Sequence, residues 1–252
     1  MRAAYKSDVG KIRPVNEDRA AVNTNECGVT LAVVADGMGG HQAGDIASQI
    51  AIEVIQEQLE SLSAELSLDE CERRIRSAIR EANKQIYNQS QSEMKYDGMG
   101  TTVVVAAADH EKIVYSHIGD SRAYLLSDGV IRQLTEDHSL VNELVKRGQI
   151  TAEEADHHPR KNVLTQALGT EEEIHIESNV VKWALADQLM LCSDGLSNMV
   201  SLQQIEMILQ SVESPEWKVD QLVKRALESG GDDNITVVLL ANEQAGRGEG
   251  VK

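Results

Sequence analysis

A short apolar run that stops at an acid and a group of glycines lies at residues 31–41. Its first five residues are apolar and rich in valine, which is typical of a strand buried on both faces. Three of the four residues after Asp36 are glycines, and because they lack Cβ atoms a backbone carbonyl such as that of Gly37 can approach a ligand closely. Asp36 and Gly37 could therefore offer oxygen ligands to one small, hard cation. A tight Asp-Gly turn between a strand and a helix explains the same residues equally well.

The charge balance excludes one class of partner. The chain has 252 residues, of which 41% are hydrophobic, so it can bury the core of one domain. Its 41 acids and 24 bases give a net charge of −17, which repels nucleic acids and anionic membranes. The N-terminus has no apolar h-region, and no run approaches the ~18 apolar residues of a membrane span. We therefore expect a cytoplasmic protein with neither nucleic acid nor a membrane as a partner.

The cysteines do not form a recognisable set. Cys27, Cys71 and Cys192 are far apart, odd in number and outside any Cys-x-x-Cys spacing. This pattern supports neither a disulfide framework nor a zinc ribbon. We expect ordinary thiols, with Cys192 inside an apolar strand.

Apolar runs and alternation predict a series of strands, and helical spacing predicts helices between and after them. The predicted strands cover residues 3–8, 19–23, 31–36, 101–107, 112–118, 122–126, 130–134, 174–181, 188–193 and 235–240. Those between residues 101 and 134 have short connections, so we expect an antiparallel meander and not β-α-β units. Helices are predicted from near Ala43, after the capping residues Ser67 and Ser201, and at Ser214-Pro215.

Residues 135–169 interrupt this series of strands. They contain a short amphipathic helix that starts near Leu140 and a capping box formed by Thr151 and Glu154. An insertion of this length between strands is usually functional. We therefore expect this segment to lie beside a functional site.

Several aspartates lie where predicted strands end or begin. Asp36 and Asp194 each follow an apolar strand. Asp233 precedes one, and Asp120 lies between two. Burying several carboxylates is unfavourable unless they coordinate cations. With no paired His or Cys beside them, the ligands would all be oxygen, which favours Mg²⁺ or Mn²⁺ over Zn²⁺ and is typical of two-metal hydrolysis.

Other Asp-Gly pairs indicate how little the dipeptide means on its own. Asp128-Gly129 lies between two strands at hairpin spacing, so we interpret it as a turn without a ligand role. We interpret Asp97-Gly98 as part of a loop. An EF-hand is excluded because the Asp-x-Asp-x-Asp-Gly spacing is missing.

Seven short motifs follow one another along the chain. They are Ser7-Asp8-x-Gly10-x-x-Arg13-x-x-Asn16-Glu17-Asp18, Val34-Ala35-Asp36-Gly37-Met38-Gly39-Gly40-His41, Gly100-Thr101-Thr102, Gly119-Asp120-Ser121-Arg122, Thr135-Glu136-Asp137-His138-Ser139, Cys192-Ser193-Asp194-Gly195-Leu196 and Asp233-Asn234-Ile235-Thr236. In this order they resemble the motifs of the metal-dependent protein phosphatases of type 2C. The resemblance covers about residues 2–241 and is closest to the compact bacterial branch that reverses the action of Ser/Thr kinases.

The resemblance implies an α+β fold, a four-layer α-β-β-α sandwich of two antiparallel sheets flanked by helix pairs. It further implies a single phosphatase catalytic domain at residues 1–241, with a flap insertion at about residues 135–169. Residues 242–252 would form a polar C-terminal tail that frays.

The same resemblance implies a metal site of two tightly bound Mn²⁺ or Mg²⁺ ions and a weaker third. Asp36 matches the carboxylate that bridges the two ions, and the carbonyl of Gly37 matches a ligand of one. Asp194 and Asp233 match ligands of the other. Asp120 matches the aspartate that holds the third ion together with Asp194.

Further residues match positions around the metals in the family. Asp18, and with it Glu17, matches acids that reach metal-bound waters and orient the nucleophile. Arg13 matches an arginine that binds the phosphate, for which a planar guanidinium suits a dianion better than lysine does. His41 matches a histidine that protonates the leaving alkoxide, although a packing residue at the start of a helix explains it too. The histidines His138, His157 and His158 are left as structural or flap residues.

The implied reaction is hydrolysis of phosphoserine or phosphothreonine on proteins by metal-activated water, without a phosphoenzyme and in opposition to a bacterial Ser/Thr kinase. The implied partners are phosphorylated proteins, including that kinase and its targets, and we expect a monomer. The alternative is a catalytically inactive, phosphatase-like binding module, which would have lost some of the acids that are present here. A nuclease or small-molecule phosphatase is disfavoured by the net charge and by the ordered motifs.

Overall fold

A computed structural model describes residues 1–39, 43–96 and 98–243 of the chain. In chain order the strands are β1 (Arg2–Asp8), β2 (Asp18–Thr24), β3 (Thr30–Met38), β4 (Gly100–Thr101), β5 (Val103–Ala108), β6 (Lys112–Ile118), β7 (Arg122–Ser127), β8 (Val130–Gln133), β9 (Glu177–Lys182), β10 (Gln188–Cys192) and β11 (Ile235–Ala241). The helices are α1 (Ala43–Leu59), α2 (Leu68–Ser90), α3 (Leu140–Lys146), α4 (Ala152–Asp156), α5 (Asp194–Ser197), α6 (Leu202–Leu209) and α7 (Pro215–Glu228). His41, Asp97 and the tail from residue 244 lie outside the described residues, so the predictions made for them stay predictions.

The strands form two antiparallel sheets. The first has the strand order β1-β11-β10-β7-β8, and the second has the order β2-β3-β5-β6-β9, with β4 pairing to β3. In the first sheet β1 pairs with β11 along its whole length, from Arg2 opposite Ala241 to Asp8 opposite Ile235. Segments that are far apart in the sequence therefore lie side by side.

Three apolar cores separate four layers. Helices α1 and α2 cover the outer face of the second sheet, where Val33 and Ile79 belong to one core. Helix α7, with α6 beside it, covers the outer face of the first sheet, where Leu222 and Leu239 belong to another. A third core, which contains Val34, fills the space between the sheets. This is the predicted α+β, four-layer sandwich.

Strand β3 is continuously apolar because both of its faces are buried. Leu31, Val33 and Ala35 point into the core beneath the helices, while Ala32 and Val34 point into the core between the sheets. A strand buried on both faces has no solvent side on which polar residues could alternate. The prediction for residues 31–36 is confirmed, and the observed strand extends to Met38.

The predicted meander is wrong in one respect. Strands β5 and β6 form a hairpin in the second sheet, whereas β7 and β8 form a hairpin in the first. The chain crosses between the sheets at residues 119–121, where Gly119 has φ +100° and a Cβ atom would lie 2.6 Å from the Thr102 side chain. A short connection with a glycine predicts a hairpin and a crossing equally well, so sequence spacing alone does not separate them.

Two short helices, α3 and α4, fold residues 135–169 into a flap. Thr151 and Glu154 form the predicted capping box at the start of α4. The root of the flap is attached to β7 by Arg122, whose Nε and Nη2 atoms donate to Asp137 at 2.9 and 2.6 Å. The flap is thereby attached to the strand that begins directly after the crossing between the sheets.

Within the described ranges, no helix combines the length and the apolar character that crossing a lipid bilayer requires.

Candidate metal centre

Five aspartates from different segments converge at one end of the sandwich. Asp18 and Asp36 face each other in the register of β2 and β3. Asp120 lies in the crossing between the sheets, Asp194 begins α5 directly after β10, and Asp233 lies just before β11. Each is one of the predicted site residues, and sequence separations of up to about two hundred residues are closed by the pairing of the strands.

The backbone N–H and carbonyl of Asp36 are both hydrogen-bonded. Its N–H donates to Thr102 Oγ1 at 3.1 Å, and its carbonyl accepts from the Thr102 N–H at 2.8 Å and from Thr101 Oγ1 at 2.9 Å. The carboxylate is therefore the part of Asp36 that remains available to a ligand. This explains why Gly100-Thr101-Thr102 occurs as a motif although it contains no acid.

Gly37 is required by its contact with α1. A Cβ atom on Gly37 would lie 2.1 Å from the carbonyl oxygen of Gly44, and one on Gly44 would lie 2.7 Å from the carbonyl carbon of Gly37. The two backbones approach so closely that neither position has room for a side chain. The N–H of Gly37 donates to the carbonyl of Glu17 at 3.2 Å, which ties β3 to the segment that precedes β2.

Burial, together with the charge of neighbouring acids, raises the pKa values of Asp18, Asp36, Asp120 and Asp194. Burial raises the pKa of Asp36 well above its ordinary value, and the neighbouring charges of Asp18 and Asp194 raise it further. Burial is also the main cause for Asp18 and for Asp120, whose pKa values rise to about 7. Buried carboxylates that repel one another favour either protons or cations among them.

The donor set of this cluster fits divalent cations. The side chains supply carboxylate oxygens, which are the ligands that Mg²⁺ and Mn²⁺ prefer. Asp18 is 1% exposed, and its Oδ1 atom is buried with no hydrogen-bond partner among the described residues. A buried, unpaired carboxylate oxygen is strongly unfavourable unless something positive approaches it.

Arg13 lies at the rim of the cluster. Its Nη2 atom donates to Asp233 Oδ2 at 2.7 Å, and half of its side chain is exposed. The loop that holds Arg13 is fixed by Asn234, whose Nδ2 donates to the carbonyls of Val9 and Val15 at 2.9 and 3.0 Å. Asn234 was not among the predicted site residues, and its place in the last motif beside Asp233 was the signal for it.

Glu17 precedes Asp18 and is partly exposed. Burial raises the pKa of Glu17, and Arg13 opposes the shift. Its backbone N–H donates to Asn234 Oδ1 at 2.8 Å. Glu17 thus belongs to the same rim as Arg13, while the position of His41 lies outside the described residues.

Comparison with known proteins gives the family. The model of the family described as protein phosphatase 2C matches residues 13–233. The chain belongs to this family. It is 44% identical over 248 residues to the serine/threonine phosphatase stp of Listeria monocytogenes, covering 98% of each chain.

Solved structures agree with this assignment. The serine/threonine phosphatase of S. agalactiae has 38% sequence identity and a TM-score of 0.90, with 95% of this chain and 98% of that chain covered. The catalytic domain of the phosphatase PstP in complex with two manganese ions has 35% identity and a TM-score of 0.82, covering 94% and 96%. The protein phosphatase 2C family is metal-dependent, and in this chain the five aspartates that could bind metal ions lie together at one end of the sandwich.

In this phosphatase a cavity of about 520 Å³ lies between the aspartates and the flap. Its lining includes Asp120 and Asp194 on one side and residues of α3 and α4 on the other. Lys161 and His157 bring basic groups to the flap side. The cavity is therefore large enough for a phosphorylated side chain and the neighbouring residues of a substrate.

A second buried cluster, not predicted, lies in the second sheet and at the root of the flap. The rings of His117 and His138 stack with centroids 4.8 Å apart, and His138 Nε2 lies 3.3 Å from Glu177 Oε1. Among the described residues these are the three His, Cys, Asp or Glu side chains whose ligand atoms all lie within 4.8 Å of one another. The hydrogen bonds of the two imidazoles nevertheless leave few lone pairs for a metal ion.

Each imidazole has one ring nitrogen engaged by the backbone. His138 Nδ1 accepts the Gly119 N–H at 3.2 Å, so its Nε2 must carry the proton and faces Glu177 as a donor. His117 Nε2 lies 2.8 Å from the carbonyl of Glu136 and must donate to it, which leaves Nδ1 as its lone pair. A metal ion would find one histidine lone pair and one carboxylate, fewer ligands than a stable site needs.

Proposed function

We propose that this chain hydrolyses phosphoserine and phosphothreonine on proteins with water held at the aspartate cluster, using divalent metal ions. Its family and its curated relatives make it a protein serine/threonine phosphatase. The observation that supports the mechanism is the convergence of five aspartates beside a half-exposed arginine, where burial and neighbouring negative charges raise the pKa values of Asp18, Asp36, Asp120 and Asp194.

Nine residues would serve this reaction. Asp36 would hold two ions, with the Gly37 carbonyl serving one of them and Asp194 and Asp233 the other. Asp18 and Glu17 would hold water beside the ions, and Asp120 would hold a weaker third ion with Asp194. Arg13 would bind the phosphoryl group, and His41 would protonate the leaving alkoxide.

Bound divalent ions lower the pKa of a coordinated water and neutralise charge on phosphoryl oxygens. The chain's own part is to position and to compensate charge. Arg13 donates a single hydrogen bond to Asp233 among the described residues, so other N–H groups of its fork are available for phosphoryl oxygens. Cys71 and Cys192 are buried, and burial raises the pKa of Cys192 to about 12, so neither is suited as a nucleophile. Cys27 lies in the connection between β2 and β3, at the opposite end of this hairpin from Asp18 and Asp36.

We assign the ions as Mn²⁺ or Mg²⁺, two tight and one weaker. The all-oxygen donor set supports this choice, as does a structural relative that holds two manganese ions. The weaker ion would belong to Asp120, because this side chain lines the cavity beside Asp194, the acid whose charge acts most strongly on the pKa of Asp120. A site with few protein carboxylates keeps most of its waters and binds weakly.

Partners follow from the reaction. Phosphoproteins are the substrates of a protein phosphatase, and we propose that they include a bacterial Ser/Thr kinase and its targets. We further propose a cytoplasmic monomer. The net charge of −17 argues against nucleic acid as a substrate.

An inactive, phosphatase-like binding module remains the alternative, and no observation favours it. Such a chain would have lost acids of the cluster, whereas Asp36, Asp194 and Asp233 are all present.

Parallel assays of a phosphothreonine peptide, p-nitrophenyl phosphate and single-stranded DNA, each with Mn²⁺ or with EDTA, test the function. We expect rapid hydrolysis of the peptide with Mn²⁺, slower hydrolysis of the small ester, no DNA cleavage and no activity in EDTA. Binding of the phosphopeptide without any turnover would support the inactive module instead. Cleavage of DNA would refute the substrate class.

Asp120→Ala tests the third ion. We expect the fold and the two tight ions to be retained while phosphopeptide turnover falls, because only the weaker site loses its own carboxylate. Calorimetric Mn²⁺ titration next to phosphopeptide kinetics measures both. Unchanged turnover together with an unchanged number of weak sites would assign Asp120 to the turn alone, where Asp is favoured for its own backbone hydrogen bonds.

A further inference from the structure

A ring of hydrogen bonds surrounds Asp18 on the side away from the cavity. The Asp18 N–H donates to Asn16 Oδ1 at 3.1 Å, and Asn16 Nδ2 donates to Ser7 Oγ at 2.8 Å. Ser7 Oγ lies 2.7 Å from Thr236 Oγ1, and the Thr236 N–H donates to Ser193 Oγ at 3.0 Å. Ser193 Oγ closes the ring by donating to Asp18 Oδ2 at 2.7 Å.

The donors at its start give the ring a direction. The Nδ2 group of Asn16 and the N–H of Thr236 can only donate, so Ser7 Oγ and Ser193 Oγ accept at these contacts and keep their own hydroxyl hydrogens for the next partner. The Ser193 hydroxyl donates a hydrogen bond to Asp18, and the Ser7 hydroxyl can donate one to Thr236 Oγ1. The Thr236 hydroxyl in turn lies close enough to Asp18 to lower the pKa of its carboxyl. Both branches therefore end on one carboxylate.

The ring joins both sheets at the aspartate cluster. Ser7 lies in β1 and Thr236 in β11, directly opposite each other in the first sheet, while Asp18 begins β2 of the second sheet. Thr236 and Ser193 are 0% exposed, and Asp18 is 1% exposed. Side chains that are buried and hydrogen-bonded on several sides have little freedom to change rotamer.

The ring leaves the two oxygens of Asp18 in different situations. Oδ2 is held by Ser193, whereas Oδ1 is the buried atom without a partner among the described residues. Asp18 is also the neighbouring charge that raises the pKa of Asp36 most. Oδ1 is thus the oxygen of Asp18 that is available to the aspartate cluster, and the hydrogen bond to Oδ2 holds the carboxylate in place.

We propose that Ser193 and Thr236 are positioning residues, which fix the Asp18 carboxylate so that Oδ1 is presented to the metal centre. This inference rests on the proposed function and names a role for motif residues that are neither acids nor bases. It accounts for the hydroxyl at Ser193 between Cys192 and Asp194, and for Thr236 at the end of the last motif.

Thr236→Val and Ser193→Ala remove one hydroxyl each, and Thr236→Ser restores the hydroxyl without the methyl group. Outer partners of a metal site typically affect activity by about 10- to 100-fold. We expect Thr236→Val and Ser193→Ala to lower kcat for a phosphothreonine peptide within that range, with KM changed less than about twofold since Arg13 is untouched. Thr236→Ser should recover most of the rate.

A matched control comes from the same type of pair elsewhere. Thr24 Oγ1 and Thr30 Oγ1 lie 2.8 Å apart across β2 and β3, and Thr30 is 1% exposed. Thr30→Val therefore removes a buried hydroxyl of equal chemistry from a cross-strand pair outside the ring. It should lower the unfolding midpoint as much as Thr236→Val does and leave kcat unchanged.

A double-mutant cycle with Asp18→Asn decides whether the hydroxyls act through Asp18. We expect Ser193→Ala to have no further effect on kcat, or on calorimetric Mn²⁺ binding, once Asp18 is Asn. Additive losses would overturn the inference, and so would full activity of Asp18→Asn, because there would then be nothing to position. Wild-type turnover with Mn²⁺ is measured in the same series, so failure of the proposed function is seen separately.

Discussion

Two buried polar clusters lie close together in this phosphatase and differ in how their charges are balanced. In the aspartate cluster, Asp36, Asp120 and Asp194 repel one another, and their pKa values are raised. In the histidine cluster, His138 faces Glu177 as a donor and accepts from Gly119, and burial lowers the pKa of His117 so that it stays neutral. In the first cluster Asp233 is the only one of the five aspartates that forms an ion pair among the described residues, with Arg13, so negative charge is in excess. In the second cluster His138 Nδ1 and His117 Nε2 are each paired with a backbone group.

The difference indicates which cluster binds a ligand. By spacing alone the histidine cluster resembles a metal site more closely, because its three ligand atoms lie within 4.8 Å of one another. His138 Nδ1 nevertheless accepts from Gly119 and His117 Nε2 donates to Glu136, which leaves a metal ion only one histidine lone pair, that of His117 Nδ1. Unbalanced charge is thus a better sign of a cation site than short distances between potential ligands.

Replacing Asp36 by Asn should have the largest effect and should act in opposite directions on function and stability. We expect turnover at saturating Mn²⁺ to fall by more than about 100-fold, beyond what outer partners of a metal site typically contribute. In EDTA the same variant should unfold at a higher temperature, by about 2–4 °C for each kcal/mol of repulsion that is removed. Phosphopeptide kinetics and thermal denaturation measure the two effects.

If Asp36→Asn kept more than about a hundredth of the wild-type rate, the proposed bridging role of Asp36 would be contradicted. A lower midpoint in EDTA would mean that the carboxylate is compensated within the chain, and the contrast between the clusters would be lost.

The pH dependence of stability should differ in sign between the clusters when the protein is free of metal. Asp18 and Asp120 have ordinary pKa values of 3.8 that rise to about 7 in the folded state. The folded protein then binds more protons than the unfolded chain between about pH 4 and about pH 7, so its stability falls as the pH rises through this window. His117, with its lowered pKa, acts oppositely and loses stability as the pH falls below its ordinary value of 6.5.

Since several acids oppose one histidine, the aspartates should dominate. Urea titrations in EDTA should therefore give a lower free energy of unfolding at pH 8 than at pH 5.5, and Mn²⁺ should reverse the order. A metal-free protein that is more stable at pH 8 would contradict the raised pKa values.

Glu177→Gln should have a small effect, because glutamine keeps an oxygen that can accept the His138 Nε2 proton. We expect turnover within about twofold of wild type and a stability change within about 1 kcal/mol, the usual contribution of one hydrogen bond. The number of Mn²⁺ ions bound, from calorimetry, should not change. Loss of one bound ion would mean that the histidine cluster is a metal site.

Asp128→Asn should have the smallest effect. Asp128 and Gly129 have φ values of +52° and +74°, the backbone of a tight hairpin turn, which asparagine adopts readily. We expect unchanged turnover and a midpoint within about 2 °C, in contrast to Asp36→Asn with the same chemical change. A loss of activity would show that Asp-Gly pairs outside the cluster contribute to the site.

The sequence predicted those features that depend on neighbouring residues. Strand β3 was predictable because burial on both faces removes polar residues from a run, and the turn at Asp128 because Asp-Gly between strands is a local signal. The helix starts at Ser67, Ser201 and Ser214 were predictable from their caps. The crossing at Gly119 was not, since a hairpin and a crossing use the same turn residues.

For the site, the acids could be predicted and their partners could not. Each aspartate is recognisable by its motif, but the contact of Ser193 with Asp18 spans 175 positions. Ser193 and Thr236 belong to two of the motifs, but nothing local in the sequence indicates which groups their hydroxyls contact. The contact of Thr236 with Ser7 appears only once the register of β1 and β11 is known.

The pairing of β1 with β11 has a consequence for how the chain is made. A strand formed from Arg2–Asp8 has its partner more than two hundred residues later, so that edge stays uncovered until Ile235–Ala241 has been synthesised. Such long-range pairing slows folding. Asp233 also leaves the ribosome long after Asp18 and Asp36, so until then the nascent chain holds an incomplete set of acids, and the centre assembles only when β11 pairs with β1.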